Sequence, residues 1–208
     1  MLPIVERSFA APRDNLAFDE QLLEEGWQGL RIWECPVHCV VVSRTPRAEP
    51  QYHLAACEHA RIEVIQRSSG GGAVLLGPGC VNYSLFLSLD NHPELIDVGH
   101  SYPLLLGAVA AALGIPGLTI EESDIALNNR KVSGNAQRRT RGKLLHHGTL
   151  LYGLNIDLVE RLLPEPARRP VYRGARTHRE FLAALPLTPD EIKSRLARLR
   201  LENCYVGI

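Results

Sequence analysis

The sequence lacks the features that mark membrane-spanning, secreted and nucleic-acid-binding proteins. Its 208 residues carry 23 basic and 23 acidic side chains, so no whole-chain field favours nucleic acid or a membrane surface. Its longest apolar stretches, such as 104–113, are about half the length that a helix needs to cross a bilayer. The N-terminal residues contain no apolar signal core. We therefore expect a cytoplasmic protein with neither a nucleic-acid nor a membrane partner.

Cysteines are few and odd in number, which argues against a disulfide scaffold. The five cysteines are Cys35, Cys39, Cys57, Cys80 and Cys204. The segment from Cys35 through His38 to Cys39 has no second pair at the spacing of a structural zinc site. We therefore expect buried thiols rather than a metal centre. With 45% hydrophobic and 6% aromatic residues, the composition is typical of an ordinary globular domain.

The order of strand and helix patterns is mixed, which predicts an α+β fold. We expect a single domain over residues 1–208, with its core to about residue 185 and a C-terminal helix and tail over 186–208. The predicted strands cover residues 4–9, 30–33, 39–42, 62–66, 73–76, 81–89, 125–127, 130–133 and 143–151. The predicted helices lie within 14–26, 52–60, 102–113, 154–163 and 189–200, with Asp14, Ser101 and Thr188 as N-caps. Gly77-Pro78-Gly79 predicts a hairpin between the strands 73–76 and 81–89.

The net charge of zero hides an asymmetry along the chain. Residues 130–179 contain 12 basic and 3 acidic side chains, whereas the other residues contain 11 basic and 20 acidic ones. This local excess of positive charge marks a candidate anion site. Arg138, Arg139, Arg141 and Lys143 within it are expected in a solvated or acceptor-facing basic loop. Arg138 and Arg139 are also candidates to meet an acidic partner.

A glycine-rich segment directly before a predicted strand is the first candidate site. It runs Arg67-Ser68-Ser69-Gly70-Gly71-Gly72-Ala73, and three glycines let backbone N–H groups approach an anion closely. The alternative is a flexible loop, because neither GxxxxGK[ST] nor GxGxxG is present.

The second candidate site joins Asp124, the run Lys131-Val132-Ser133-Gly134-Asn135-Ala136, and His146-His147-Gly148. A fixed ammonium in a pocket stabilises charge that develops on a phosphate or carboxylate oxygen. The alternative for Lys131 is a solvated hairpin residue. Adjacent strand residues point to opposite faces, so we expect only one of the two histidines to line a pocket.

Taken together, these motifs resemble one known family. RSSGGGAV, GPGCVNYSL, DIALNNRKVSGNAQRR, LHHGTLL and YRGARTHREFL occur in the order and spacing of the lipoate-protein ligase A family, within the biotin and lipoate protein ligase superfamily. The resemblance includes the early segment 15–20 and extends from about residue 12 to 185.

The resemblance implies a bent mixed β-sheet flanked by helices, the catalytic-domain fold of biotin and lipoate protein ligases, which is similar to that of class II aminoacyl-tRNA synthetases. It also implies that lipoate and ATP form lipoyl-AMP, and that the lipoyl group passes to a lysine of a lipoyl carrier. That carrier would be an E2-type lipoyl domain or a protein similar to the glycine cleavage H protein.

Site residues follow from the same resemblance. Lys131 would be catalytic, and Asp124 would be a ligand of Mg²⁺. Lipoate and ATP would be bound by Arg67, Ser69, Gly70, Gly71, Gly72, Ala73, Val74, Leu75, Asn82, Lys131, Ser133, Gly134, Asn135, Ala136, His147 and Gly148.

The chain departs from the family pattern in three respects. Leu76-Gly77 stands where the family commonly has His-Asp. The chain ends where many members continue into a small accessory domain, so a separate accessory protein is a candidate partner. Cysteine is missing from both neighbourhoods that related octanoyltransferases use for their nucleophile. Two other functions stay open: ATP-independent octanoyl or lipoyl transfer between carriers, with Cys80 as nucleophile, and a noncatalytic lipoyl-binding module.

Overall fold

The computed structural model describes residues 2–45 and 48–201, and the strands of this part form two β-sheets. The strands are β1 Ile4–Glu6, β2 Gly29–Trp33, β3 Cys39–Val42, β4 Glu63–Gln66, β5 Val74–Leu76, β6 Cys80–Ser88, β7 Leu118–Glu121, β8 Asp124–Leu127, β9 Arg130–Thr140 and β10 Lys143–Leu151. The helices are α1 Pro12–Glu25, α2 Leu54–His59, α3 Val98–Leu113, α4 Ile156–Leu162, α5 His178–Phe181 and α6 Pro189–Leu196. Short 3₁₀ turns cover Pro93–Leu95 and Val171–Arg173. The predicted α+β class is confirmed.

The larger sheet has seven strands in the order β1-β2-β6-β10-β9-β8-β7. Only β1 and β2 in it are parallel, and the other neighbours are antiparallel. Its centre is the long pair β6 and β10, in register from Cys80 opposite Leu151 to Ser88 opposite Lys143. These central strands carry part of the candidate site, including Asn82 and His147.

The smaller sheet has three strands in the order β4-β3-β5. The predicted hairpin of β5 with β6 is wrong, because β5 pairs with β3 whereas β6 pairs with β2 and β10. Gly77 and Gly79, at φ 148° and 103°, instead turn the chain from one sheet into the other. Glycine tolerates these angles, so the turn signal is correct but the partner is not.

Each sheet packs helices on its outer side. The largest apolar cluster joins one face of the seven-stranded sheet to α3 and α6, through residues such as Leu85, Val109 and Ile192. The small sheet packs α2 and α4 through Val40, Leu75, Cys57 and Leu162. A third cluster lies between the sheets and includes Trp33, Val41, Leu76 and Leu151, while α1 covers the far end of that same face. The two sheets and the helices packed on them enclose a space between the sheets.

The predicted helix starts are correct at one of three positions. Thr188 and Glu191 form the expected capping box of α6. Asp14 is not an N-cap, because α1 begins at Pro12 after Ala11. Ser101 is not one either: Asp97 caps α3, and Ser101 is buried inside the helix. In both cases the helix starts earlier because Pro12 or Asp97 supplies a better first turn.

The expected loop around Arg138 and Arg139 is wrong, but the acceptor-facing position expected of these residues is correct for Arg139. Both residues lie in β9, which continues to Thr140. The Arg139 guanidinium donates to the carbonyls of Leu95 and Ile96 at 2.7 and 2.9 Å, and buried carbonyls need such donors. Arg138 lies 3.4 Å from Glu20.

In the described part of the chain, the helices are all too short or too polar to span a bilayer. The predicted C-terminal tail beyond residue 201, with Cys204, lies outside the described residues.

Candidate functional site

A cleft with a volume of about 170 Å³ opens between the two sheets. Its lining combines a polar end with an apolar end. The lining residues are Leu16, Trp33, Val41, Arg67, Gly71, Gly72, Ala73, Val74, Leu76, Asn82, Tyr83, Ser84, Ser123, Asp124, Lys131, Gly134, Asn135, Ala136, His147, Gly148 and Thr149.

Arg67 organises the glycine loop from inside. Arg67 is 8% exposed, and its guanidinium donates to the carbonyls of Gly70 and Gly72 at 2.6 and 2.8 Å and to Ser69 Oγ at 2.9 Å. Because these carbonyls turn toward the arginine, the loop keeps one shape without regular secondary structure. The predicted role of Arg67 in binding lipoate and ATP stays a prediction.

Gly71 and Gly72 of this loop are glycine for different structural reasons. Gly71 has φ 101°, and a Cβ there would come within 2.8 Å of Arg67 Nη2. A Cβ on Gly72 would meet nothing within 4 Å, so its backbone faces open space in the cleft. The loop thus packs against Arg67 on one side and presents bare backbone on the other.

Lys131 reaches the cleft because of a β-bulge. Asp124 pairs with Gly134 and Ile125 with Ser133, but Ala126 pairs with Lys131, which leaves Val132 as the extra residue of β9. Three residues apart on a regular strand, Lys131 and Gly134 would face opposite ways; the bulge puts both on the face of Asp124.

The end of Lys131 is placed by its neighbours. Its Nζ lies 2.8 Å from Asp124 Oδ1, and a Cβ on Gly134 would lie 2.7 Å from the same nitrogen. The missing side chain of Gly134 therefore leaves the space that the ammonium occupies. The Lys131 backbone is fixed as well, since Ala183 N donates to its carbonyl at 2.8 Å.

Asn135 is held from the core side of the sheet. Tyr83 Oη donates to its Oδ1 at 2.6 Å, and its Nδ2 donates to the Ser123 carbonyl at 2.9 Å. Gly148, opposite Asn135 on β10, makes this possible, because a Cβ there would overlap Asn135 Oδ1. Ser133 is fully buried and contacts Asn135 rather than the cleft.

The two adjacent histidines have different positions, as the strand alternation predicts. His147 lines the cleft, and its Nε2 lies 2.7 Å from Ser69 Oγ. Burial, together with the Arg67 charge, lowers the pKa of His147 to about 3, so its ring is neutral at physiological pH. His146 is fully buried on the core side, 3.3 Å from Tyr83 Oη.

The structure brings together thirteen of the predicted site residues at the cleft and leaves four outside its lining. The four are Ser69, Gly70, Leu75 and Ser133. Ser69 and Gly70 support Arg67, and Leu75 faces α2 and α4 on the far side of the small sheet. Strand alternation about Val74 and Leu76, which do line the cleft, would have excluded Leu75.

The sequence analysis missed eight of the cleft's lining residues, half of them apolar. The missed lining residues are Leu16, Trp33, Val41, Leu76, Tyr83, Ser84, Ser123 and Thr149. It also missed a buried ion pair beneath the cleft, in which Arg31 Nη1 donates to Asp19 Oδ1 at 2.6 Å and Ser84 Oγ donates to Asp19 Oδ2 at 2.6 Å. Burial raises the pKa of Asp19 despite the neighbouring Arg31. Only pairing across the folded sheet joins these residues, so no local motif could indicate them.

A metal cage is not built into this site. Across residues 2–45 and 48–201, no three His, Cys, Asp or Glu side chains converge as a metal site would require. Asp124 supplies a carboxylate to the cleft, but its two oxygens already bind Lys131 and Tyr172. Mg²⁺ favours one or two carboxylates together with substrate phosphates, so these residues do not hold the ion by themselves.

Cys80 is not placed as a nucleophile. It is fully buried, its thiol donates to the Gly77 carbonyl at 3.2 Å, and it is not among the cleft-lining residues. Burial raises the pKa of its thiol to about 12, whereas a reactive cysteine needs an accessible thiolate.

Known proteins are similar to this chain in sequence. A profile of the lipoyl protein ligase A/B catalytic domain matches residues 11–198. The lipoate-protein ligase LplJ of Bacillus subtilis (strain 168) is 29% identical, and the match includes 100% of this chain and 64% of that protein. The chain thus spans less than two thirds of the length of this curated relative.

Two solved structures show the same fold. A bi-partite lipoate protein ligase from Thermoplasma acidophilum superposes with a TM-score of 0.78 at 24% identity, covering 94% of this chain and 80% of that chain. A lipoate-protein ligase A bound with ATP superposes with a TM-score of 0.76 at 24% identity, covering 94% and 81%. The chain belongs to the family of lipoyl protein ligase A/B catalytic domains.

Proposed function

We propose that this chain activates lipoate with ATP to form lipoyl-AMP and transfers the lipoyl group to a lysine of a lipoyl carrier. The observation that carries the proposal is the polar end of the cleft, where the Lys131 ammonium faces the same space as the bare backbone of the glycine loop. A fixed cation and backbone N–H groups are the partners that a phosphate and a carboxylate require. The apolar end, with Leu16, Trp33 and Val41, suits the hydrocarbon chain of lipoate.

The activation step brings two anions together. A lipoate carboxylate oxygen bonds to the α-phosphorus of ATP, the bond from that phosphorus to the bridging oxygen breaks, and pyrophosphate leaves. Lys131 would offset the repulsion and stabilise the added charge at the α-phosphate. Mg²⁺ would enter with the ATP phosphates as part of the substrate. The predicted contact of this ion with Asp124 stays a prediction.

In the transfer step the amine of a carrier lysine attacks the acyl carbon, AMP leaves, and the amine loses a proton. An amide bond to the carrier replaces the mixed anhydride. The Thermoplasma acidophilum neighbour is described as a lipoylation system with an E2 lipoyl domain, which supports such a domain as the carrier. A carrier similar to the glycine cleavage H protein and a separate accessory protein remain further candidates.

The first experiment tests for the intermediate lipoyl-AMP. The protein is incubated with ATP, Mg²⁺ and lipoate, and bound lipoyl-AMP is sought by mass spectrometry. Lipoyl-AMP from the parent but not from Lys131→Met would support the proposal. An absent signal with the parent, together with acyl transfer from an octanoyl-carrier donor, would replace it by the ATP-independent transferase. Failure of both reactions, also with an accessory subunit added, would favour a noncatalytic module.

A further inference from the structure

Tyr172 is linked to the proposed catalytic lysine through one carboxylate. Its hydroxyl donates to Asp124 Oδ2 at 2.9 Å, while Asp124 Oδ1 lies 2.8 Å from Lys131 Nζ. Asp124 is 4% exposed, so both oxygens depend on protein partners. Tyr172 comes about forty residues after Lys131 in the chain, and only the fold joins them.

The segment that carries Tyr172 is attached on both sides of this contact. We refer to residues 164–177 as the Tyr172 loop. Its Val171 N donates to Glu122 Oε1 at 3.3 Å, just before Asp124, and Arg176 Nη1 donates to the Asn129 carbonyl at 2.6 Å, just after β8. The Tyr172 ring packs on Phe181 with centroids 5.0 Å apart. The hydroxyl is thus held in place by three independent contacts of its own loop.

These contacts restrict the motion of Asp124. A carboxylate bound at one oxygen can rotate about its side-chain bonds, whereas one bound at both oxygens cannot do so without losing a hydrogen bond. Burial, followed by the Asp124 charge, raises the pKa of the Tyr172 hydroxyl, so Tyr172 remains a donor. Lys131 has a long flexible side chain, and a rigid Asp124 supplies the fixed point that keeps its ammonium beside Gly134.

We propose that Tyr172 is a positioning residue that locks Asp124 and, through it, holds the Lys131 ammonium in the place where the anionic substrates meet. This inference rests on the proposed function for its kinetic consequence, but not for its structural one. Preorganised charges act mainly on the transition state, so the expected loss is in kcat rather than in KM.

The chain offers a matched control outside the cleft. Tyr152 Oη donates to Glu34 Oε2 at 3.3 Å, and Glu34 Oε1 lies 2.5 Å from Lys193 Nζ. This is a second set of tyrosine, carboxylate and lysine, and none of its members lines the cleft. Tyr152→Phe therefore removes the same kind of hydroxyl contact without touching the proposed site.

The kinetic test is a double-mutant cycle on lipoyl-AMP formation. We expect Tyr172→Phe to lower kcat about 10-fold and to change the KM for ATP less than about 3-fold, with Tyr152→Phe unchanged. In an Asp124→Asn background Tyr172→Phe should have little further effect, because residues that act through one another are not additive. An equal loss in both backgrounds, or a raised KM with parental kcat, would overturn the inference.

The second test needs no ligase activity. The chain has three lysines, Lys131, Lys143 and Lys193, and their reaction rates with an amine-acetylating reagent can be compared by mass spectrometry. We expect Tyr172→Phe to speed labelling of Lys131 at least about 2-fold while Lys193 keeps its rate, and Tyr152→Phe to do the reverse. Unchanged labelling of Lys131 in Tyr172→Phe would contradict the inference even if the protein is an active ligase. If the protein proves to be inactive as a ligase but the labelling rates of Lys131 and Lys193 change as expected in the two tyrosine variants, the inference is supported and the proposed function is not.

Discussion

The two cations that line the cleft in the described part of the chain are held in different ways. Arg67 binds carbonyl and hydroxyl groups of residues 69–72, within five positions of itself, and one group from another strand, the Val41 carbonyl at 3.4 Å. Lys131 is placed by contacts between elements: it meets Asp124 of β8, with Tyr172 behind that carboxylate, in the space left by Gly134 of its own strand. Arg67 is therefore part of the shape of its loop, whereas Lys131 is a charge delivered by the fold. Substitutions at Arg67 should alter the loop and ATP binding together, whereas substitutions at Lys131 should alter the chemistry most and lower stability only through the unpaired Asp124.

The largest effect is expected from Lys131→Met. Loss of the ammonium should lower the rate of lipoyl-AMP formation at least about 100-fold. It also leaves buried Asp124 without its cation, which should cost about 1–3 kcal/mol of unfolding free energy. The rate is measured by product formation and the stability by urea denaturation.

The control for this substitution is the double variant Lys131→Met with Asp124→Asn. A neutral side chain at position 124 should restore most of the lost stability but none of the rate. Recovery of activity in the double variant would contradict the role of Lys131 as the stabilising charge.

The next largest effect is expected from Arg67→Lys. A lysine keeps the charge but lacks the planar fork that bonds several loop groups at once. We expect the KM for ATP to rise about 10-fold and the free energy of unfolding to fall by about 2 kcal/mol. The rate of lipoyl-AMP formation at varied ATP concentrations and urea denaturation measure the two effects. A raised KM with parental stability would mean that Arg67 acts on the nucleotide and not through the loop.

Gly134→Ala should move Lys131 without removing it. The new Cβ would meet the flexible end of the lysine rather than backbone, so the cost in stability should stay below about 1 kcal/mol. A displaced ammonium should still lower kcat about 10-fold. Gly107→Ala is a suitable control because a Cβ there meets nothing within 4 Å. Parental kcat in Gly134→Ala would show that the position of the ammonium is not critical.

This contrast also explains what the sequence could predict. The glycine loop could be predicted from the sequence because Arg67, Ser69 and the glycines are neighbours in the chain. The bulge at Val132 depends on pairing between β8 and β9, which no local pattern specifies. The same limit accounts for the wrong hairpin, since Gly77 and Gly79 predict a turn but not that β5 and β6 enter different sheets. Tyr172 and Arg31 acquire their roles only through contacts across the fold.

The Arg67 region should also respond to acid. The pKa of His147 falls from an ordinary 6.5 to about 3 in the folded protein, so between these values the unfolded chain binds more protons. The free energy of unfolding should therefore rise with pH across this window and be lost as pH falls through it. His147→Gln should reduce this slope, as urea denaturation between pH 4 and 7 can measure. The parental slope in His147→Gln would assign the acid sensitivity to other groups, such as buried His146.

The smallest effect is expected from Cys80→Ala. This thiol lies at the turn that leads from the small sheet into β6, fully buried and hydrogen-bonded to the Gly77 carbonyl. Removing it should cost about 1 kcal/mol of stability and leave lipoyl transfer at the parental rate, because neither the Arg67 loop nor Lys131 contacts it. Mass spectrometry of the parent during turnover should show no acyl-thioester at this position. Loss of all transfer in Cys80→Ala, with correct folding, would make the cysteine the acyl carrier and would reduce Lys131 to an accessory charge.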